Sequence, residues 1–220
     1  MFVEAKGRIE ELELDRVLIA LKDFEKIGLV ATVQFLDLFP QVKMVLEKAG
    51  KVVLISKPRF HAVKTGQILG CDTSAVPEDA DAILYIGTGE FHPLGINAEK
   101  PIFVLNPFTG AVQRISEKDI RKMQLQQQAR VVIFNDAKNV GILVTTKPGQ
   151  YEVQSKSADL KKKIDALGKK TFVFITDCLS PHELENFPQI DVWVNTACPR
   201  IVDDIKLYKK PIVNANELHL

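Results

Sequence analysis

No apolar run in this chain approaches the roughly 18 residues that a membrane helix needs. Cysteine is scarce, three in 220 residues; three cannot all pair, and no Cys-x-x-Cys cluster marks a zinc or redox site. Neither sign of charge dominates. Against 29 Lys and Arg stand 28 Asp and Glu, a formal net charge of +1, which argues against a nucleic-acid binder that works by neutralising phosphates. The opening Met1-Phe2-Val3-Glu4-Ala5-Lys6 lacks the apolar centre of a signal peptide. A reducing, cytoplasmic setting is therefore expected, where spaced cysteines serve as metal ligands or catalytic thiols more readily than as disulfides. What remains is an ordinary globular composition, 46% hydrophobic and 26% charged. It is enough for one large domain or two small ones, each with a core.

The hydrophobic pattern points to an α/β fold. Ile27 to Val33 is a β-branched run, followed by a helical stretch entered at Pro40 and closed by Gly50. Lys51 to Ser56, Ala82 to Ile86 and Ile102 to Leu105 read as further strands. Their hydrophobicity is continuous rather than alternating, which indicates a parallel sheet covered on both faces. The same order then recurs: strand Val140 to Thr146, helix Ala158 to Leu167 closed by Gly168, and strands Thr171 to Thr176, Val192 to Asn195 and Pro211 to Val213. Small details repeat as well. Gly50-Lys51 answers Gly168-Lys169, and Lys26-Ile27-Gly28 answers Asn139-Val140-Gly141. Asp81 stands 19 residues before Lys100-Pro101-Ile102, and Asp191 stands 19 before Lys210-Pro211-Ile212. The chain thus reads as a duplicated parallel-sheet α/β unit. The expected parts are an N-terminal connector (1–25), a first α/β domain (26–115), a connecting helix (116–138) and a second α/β domain (139–220). The connector holds a helix from Leu12 to Phe24 with Leu14, Val17, Leu18 and Leu21 on one face. The connecting helix keeps a buried stripe of Ile120, Met123 and Val131.

Parallel sheets bind ligands beyond the carboxyl ends of their strands. Cys198 lies there, in Asn195-Thr196-Ala197-Cys198-Pro199-Arg200, and Cys71 ends the run Gly66-Gln67-Ile68-Leu69-Gly70. The loop after Ala82 to Ile86 is rich in glycine: Gly87, Thr88, Gly89, Glu90, Phe91, His92, Pro93, Leu94 and Gly95. Such a loop can cradle a polar small molecule or serve only as a turn. Lys147, Pro148, Gly149 and Gln150 follow the first strand of the second copy and either contact the same ligand or form an ordinary turn. Intracellular cysteines are also often small buried hydrophobes, so the thiols alone do not decide between packing and chemistry. Cys178 follows a strand but has the least distinctive surroundings. His61, with Arg59 and Lys64, offers a basic loop for a carboxylate.

Taken together, these motifs resemble the radical-generating subunit of diphthamide synthase, the 2-(3-amino-3-carboxypropyl)histidine synthases. The likeness rests on Phe2 to Lys6, Ile27 to Gln34, Gly66 to Cys71, Phe91-His92-Pro93-Leu94-Gly95 and Asn195 to Arg200. It implies a triplicated α/β fold, usually dimeric, in which each domain gives one cysteine to a 4Fe-4S cluster. Cys71 and Cys198 would be the second- and third-domain ligands and would approach each other, while Cys178 has no counterpart. The domain carrying the first ligand would be missing, so the chain alone would not hold a stable cluster. The implied reaction is a transferase step. The reduced cluster cleaves the Cγ–S bond of S-adenosylmethionine, and the 3-amino-3-carboxypropyl radical adds to a histidine of translation elongation factor 2. The loops at 87–95 and 147–150 would hold the methionine and adenosine parts. Two other readings remain open: a non-catalytic partner subunit that binds S-adenosylmethionine or the elongation factor, and a plain α/β ligand-binding protein without iron.

Overall fold

Unbroken apolar runs become strands, and the same arrangement is built twice. The computed structural model of the protein describes residues 9, 12–96, 100–147 and 153–220. The chain divides into two compact units, Met1–Ile120 and Arg121–Leu220. In the first, α1 (Asp15–Ala20) leads to β1 (Lys26–Ala31), a 3-10 segment (Val33–Leu38), α2 (Phe39–Lys48) and β2 (Val52–Leu54). Then come β3 (Ala82–Ile86), the short helix α3 (Phe91–Leu94), β4 (Ile102–Leu105) and β5 (Val112–Arg114). Helix α4 (Glu117–Asp136) precedes β6 (Asn139–Thr145), α5 (Val153–Ala166), β7 (Lys170–Thr176), α6 (Pro181–Leu184) and β8 (Val192–Asn195). A second 3-10 segment (Pro199–Leu207) and β9 (Ile212–Asn214) complete the second unit.

The first sheet has the order β2-β1-β3-β4-β5 and is parallel except for the antiparallel edge pair β4–β5. The second, β7-β6-β8-β9, is parallel throughout. Strands β1 to β4 thus correspond to β6, β7, β8 and β9. Each sheet is covered on both faces, as its continuous apolar strands require. In the first unit Leu29, Leu84 and Ile86 pack with Val17, Leu21, Val42 and Leu46 on one face. Val30, Ile83 and Tyr85 pack with Ile68, Ile96 and Ile115 on the other. In the second, Val140, Ile142 and Val144 meet Phe134 and Ile164, and Trp193 meets Leu143, Leu184, Val202 and Ile212. Each fully buried side chain of this size contributes about 1.5–3 kcal/mol over its exposed state.

The repeated sequence details have physical causes. Gly50 and Gly168, both at φ +79°, close α2 and α5 in the left-handed conformation that terminates helices. The lysine after each turns back on the element before its repeat. Lys51 Nζ donates to the carbonyls of Lys22 (2.7 Å) and Phe24 (2.8 Å), and Lys169 Nζ to those of Asn135 and Ala137 (both 2.8 Å). Asp81 accepts the Lys26 amide (2.8 Å), and Asp191 accepts those of Lys138 (3.1 Å) and Asn139 (2.7 Å), pinning the first strand of each sheet to the next.

Three elements differ from the sequence expectation. The first helix is only six residues long, and Leu12, Leu14, Val17 and Leu21 are buried in the core of the first unit rather than lying on a free connector. On α4, Ile120, Met123 and Val131 are only half-buried; full burial is reached at Phe134, and Leu125, Val132 and Ile133 are exposed. Ile120 packs on the first unit and Phe134 on the second, while the glutamine-rich turns between them have little apolar surface to bury. Residues 91–94, read as part of a loop, form α3. Among the described residues no helix is long and apolar enough to cross a membrane.

Candidate functional site

Cys71 sits in a loop attached to the carboxyl end of β1. The Ala31 amide donates to Gly66 O (3.0 Å) and the Ile68 amide to Ala31 O (2.9 Å), so residues 66–68 continue the sheet past the last β1 residue. Leu69 and Asp72 then exchange backbone hydrogen bonds of 2.8 and 3.2 Å around an exposed Cys71. The neighbouring Asp72 is 2% exposed. Its carboxylate accepts the amides of His61 and Ala62 (2.8 Å each) on one oxygen and the Ser74 amide (3.0 Å) and hydroxyl (2.6 Å) on the other. Burial pushes this carboxyl up, but the bonds from Ala62, Ser74 and His61 together outweigh it and hold it below the usual carboxylate value. Gln67, also buried, accepts the amides of Val63 (3.1 Å) and Lys64 (2.9 Å). Two buried acceptors thereby order the strip that includes His61 and Lys64. Arg59 is engaged elsewhere, 3.3 Å from Glu78.

Cys198 is held differently. The Thr196 amide and hydroxyl both donate to Leu143 O (3.1 and 2.8 Å), which ties the loop after β8 to the carboxyl end of β6. The Asn195 side chain accepts the Ala197 amide (3.0 Å) and donates to the Cys198 carbonyl (2.9 Å). Cys198 itself is half-buried. Lys147 lies beyond β6 at the same edge, exposed, its amide donating to Thr145 Oγ1 (3.2 Å). Pro148, Gly149 and Gln150 lie outside the described residues.

In the first unit, residues 87–95 leave the carboxyl end of β3, beside β1 and therefore at the same edge as the Cys71 loop. A Cβ at Gly87 would lie 2.4 Å from the Tyr85 hydroxyl, so only glycine lets the chain turn there. Thr88 and the positive-φ Gly89 follow, and α3 carries Phe91, His92, Pro93 and Leu94 to Gly95. His92 Nδ1 is 3.4 Å from the Tyr85 hydroxyl, whose pKa burial pushes up to about 12.

The two thiols do not occupy equivalent places in the repeat. Cys71 belongs to the connection between β2 and β3, whereas Cys198 belongs to that between β8 and β9. The counterpart of the Cys71 connection in the second unit holds Cys178. There the structure shows a feature that sequence reasoning missed: a cavity of about 330 Å³ walled by Leu143, Phe174, Leu184 and Phe187, with Cys178 at its lining. Its walls join Leu143 to residues 174–187, which lie far along the chain, so no local pattern announces it. Among the described residues, no group of three or more His, Cys, Asp or Glu is placed to hold a metal.

Two doubly wound α/β units, each with a cysteine loop bound to the carboxyl edge of its sheet, where such folds bind ligands, define a repeat-built α/β protein. The comparison with known proteins narrows this. The chain belongs to the diphthamide synthesis family, whose model, described as "Putative diphthamide synthesis protein", matches residues 1–220. It is 30% identical over 232 residues to the 2-(3-amino-3-carboxypropyl)histidine synthase of Pyrococcus horikoshii, with 100% of this chain and 64% of that one covered. Subunit 1 of the human synthase is 26% identical over 208 residues, covering 93% of this chain and 46% of the relative. The crystal structure of Dph2 from Pyrococcus horikoshii with a 4Fe-4S cluster matches with a TM-score of 0.82 at 27% identity, over 94% of this chain and 60% of that one. The chain therefore spans about half to two thirds of the length of these relatives. The fold expected from sequence, α/β with repeated parallel sheets, is the fold observed.

Proposed function

We propose that this chain acts in the first step of diphthamide synthesis. There the 3-amino-3-carboxypropyl group of S-adenosylmethionine is transferred to a histidine of translation elongation factor 2. Cys71 and Cys198 serve as thiolate ligands of a 4Fe-4S cluster. The observation that supports this best is the way both cysteines are presented: each loop is fixed by buried side-chain hydrogen bonds at the carboxyl edge of its sheet, and neither cysteine is fully buried, Cys71 being exposed and Cys198 half-buried. A cysteine used only for packing is more often fully buried. Thiolates are the donors that such a cluster takes, and Cys71 and Cys198 supply two of them. When bound, the cluster supplies the electron that cleaves the sulfonium carbon–sulfur bond. The protein's own part is orientation. Asp72 and Gln67 fix the Cys71 loop, Asn195 and Thr196 fix the Cys198 loop, and the turn at Gly87–Gly95 and Lys147 offer amides and a cation at the same sheet edges for the amino-acid and nucleoside parts of the sulfonium substrate.

A second reading is a partner subunit whose cluster is completed by another chain; among the described residues no group of three or more His, Cys, Asp or Glu is placed to hold a metal by itself. Anaerobic reconstitution separates the two. Iron and sulfide are counted for the wild type, Cys71→Ser, Cys198→Ser and Cys178→Ser, alone and mixed with a longer family member, and methylthioadenosine release is measured. The proposal expects iron uptake to fall in the first two variants and not in the third. Uptake indifferent to Cys71 and Cys198 would remove both as ligands. Turnover only in the mixture would select the partner reading.

A further inference from the structure

We propose that a buried polar chain, Arg130–Glu217–Asn214–Asn195, positions Cys198; its value for cluster binding rests on the ligand role assigned to that thiol. Asn195 and Asn214 are the last residues of β8 and β9 and face each other in register at the carboxyl edge. Both are buried, as is Glu217. Asn195 Nδ2 donates to Asn214 Oδ1 (2.8 Å) and to the Cys198 carbonyl (2.9 Å), and its Oδ1 accepts the Ala197 amide (3.0 Å). Asn214 Nδ2 donates to the Pro199 carbonyl (2.9 Å) and to Glu217 Oε1 (3.1 Å). Arg130, reaching from α4, closes the chain with two bonds to the Glu217 carboxylate, of 2.8 and 3.1 Å.

The direction of every bond is set from the far end. The guanidinium can only donate, and the carboxylate it holds can only accept. Asn214 must then turn its amide nitrogen to Glu217 and its carbonyl to Asn195. Asn195 must donate to that carbonyl, which leaves its second N–H for Cys198. Every side-chain amide group in this relay has a partner, and a buried network of this kind is costly to satisfy only in part. Two consecutive carbonyls, those of Cys198 and Pro199, are held, so the backbone that aims the thiol is fixed from the strand side. The chain explains why a buried charge pair, costly to desolvate, lies below a surface loop it does not touch. It defines Arg130, Glu217, Asn214 and Asn195 as positioning residues.

The test uses substitutions that keep volume and reverse donors into acceptors: Asn195→Asp and Asn214→Asp. In the cofactor-free full chain, alkylation by iodoacetamide is followed by mass spectrometry at each cysteine across a pH series, with circular dichroism to verify folding. Cys71 and Cys178 are internal controls. In both variants the Cys198 rate should rise about tenfold at every pH, the scale of one lost buried hydrogen bond, with the two controls unchanged. Arg130→Lys, which keeps the charge but loses the bidentate fork, should give a smaller rise, and Arg130→Met a larger one. If the aspartate variants do not fold, this arginine pair carries the test. A Cys198 rate within about twofold of wild type, or an equal acceleration at all three cysteines, would overturn the proposal. No cluster enters the measurement, so a failed ligand assignment and a failed positioning chain are told apart.

Discussion

Replacing Asp72 by alanine removes the side chain that accepts most of the hydrogen bonds ordering the Cys71 loop, four against the two of Gln67. Four hydrogen bonds converge on its carboxylate, one of them from the amide of the buried Ala62, which loses this acceptor once the side chain is gone. The amides of His61 and Ser74 lie closer to solvent and regain water. One fully stranded buried donor costs about 1–3 kcal/mol, and each lost bond to a charged group has a gross worth of about 1.5–3 kcal/mol. Relief from burying the carboxylate offsets part of this. The net loss should be about 3 kcal/mol, which for a unit of this size lowers its melting temperature by roughly 10 °C. Asp72→Asn, which keeps one acceptor oxygen and sets an N–H2 against the other donors, should fall between. The assay is favoured by composition: the only tryptophan, Trp193, lies in the second unit. Far-ultraviolet circular dichroism should show the early melt of the first unit while the tryptophan fluorescence transition stays in place. Cys71 should also alkylate faster. A circular-dichroism transition shifted by less than about 2 °C, with Cys71 reactivity unchanged, would refute the account of this loop.

Gly141→Ala would set a Cβ 2.4 Å from Trp193 Cε3. It should cost about 1–3 kcal/mol by overpacking, visible as an earlier tryptophan fluorescence melt; an unchanged melt would mean that the ring moves aside freely. Asp191 has its carboxyl held below the usual value, first by the Asn139 amide and against a smaller desolvation. Its contribution to stability is present above the unfolded carboxylate value, about 3.9, and is lost as pH falls through the lower folded value. Asp191→Asn should therefore lower stability at neutral pH and flatten the acid limb of the stability curve, as followed by urea unfolding at several pH values. An acid limb identical to wild type would remove Asp191 from the linkage.

Most of the framework was legible in the sequence because burial writes itself locally. The runs at 82–86 and 102–105 are uniformly apolar, that at 192–195 is apolar up to its final Asn195, and the strands have those ends. The Gly-Lys pairs and the spaced aspartates are legible because each recurs at the same place in both repeats. The apolar face of residues 12–24 does not say which sheet it covers; the structure packs Leu12, Leu14, Val17 and Leu21 into the first unit's core. What holds the cysteine loops was not legible at all. Asp72 next to Cys71 looks like any surface aspartate until residues 61, 62 and 74 fold around it. Asn195, Asn214, Glu217 and Arg130 span 87 residues, and nothing in their local sequence distinguishes a buried relay from solvated polar residues. Apolar burial repeats with a period; the satisfaction of polar groups depends on which distant partners arrive.

The unequal stations of Cys71 and Cys198 bear on how such a chain comes to exist. Copying a gene segment copies the framework and its side chains together, and here the framework agrees down to the lysine that follows each helix-closing glycine. The thiols do not follow that correspondence. The station matching Cys198 in the older or younger copy carries the Gly87–Gly95 turn, and the station matching Cys71 carries Cys178 beside a cavity. The two cysteine positions are therefore not copies of one another. The halves share an architecture and not their thiol positions: doubling the first unit would repeat a cysteine in the connection between its second and third strands and leave none in the connection where Cys198 stands.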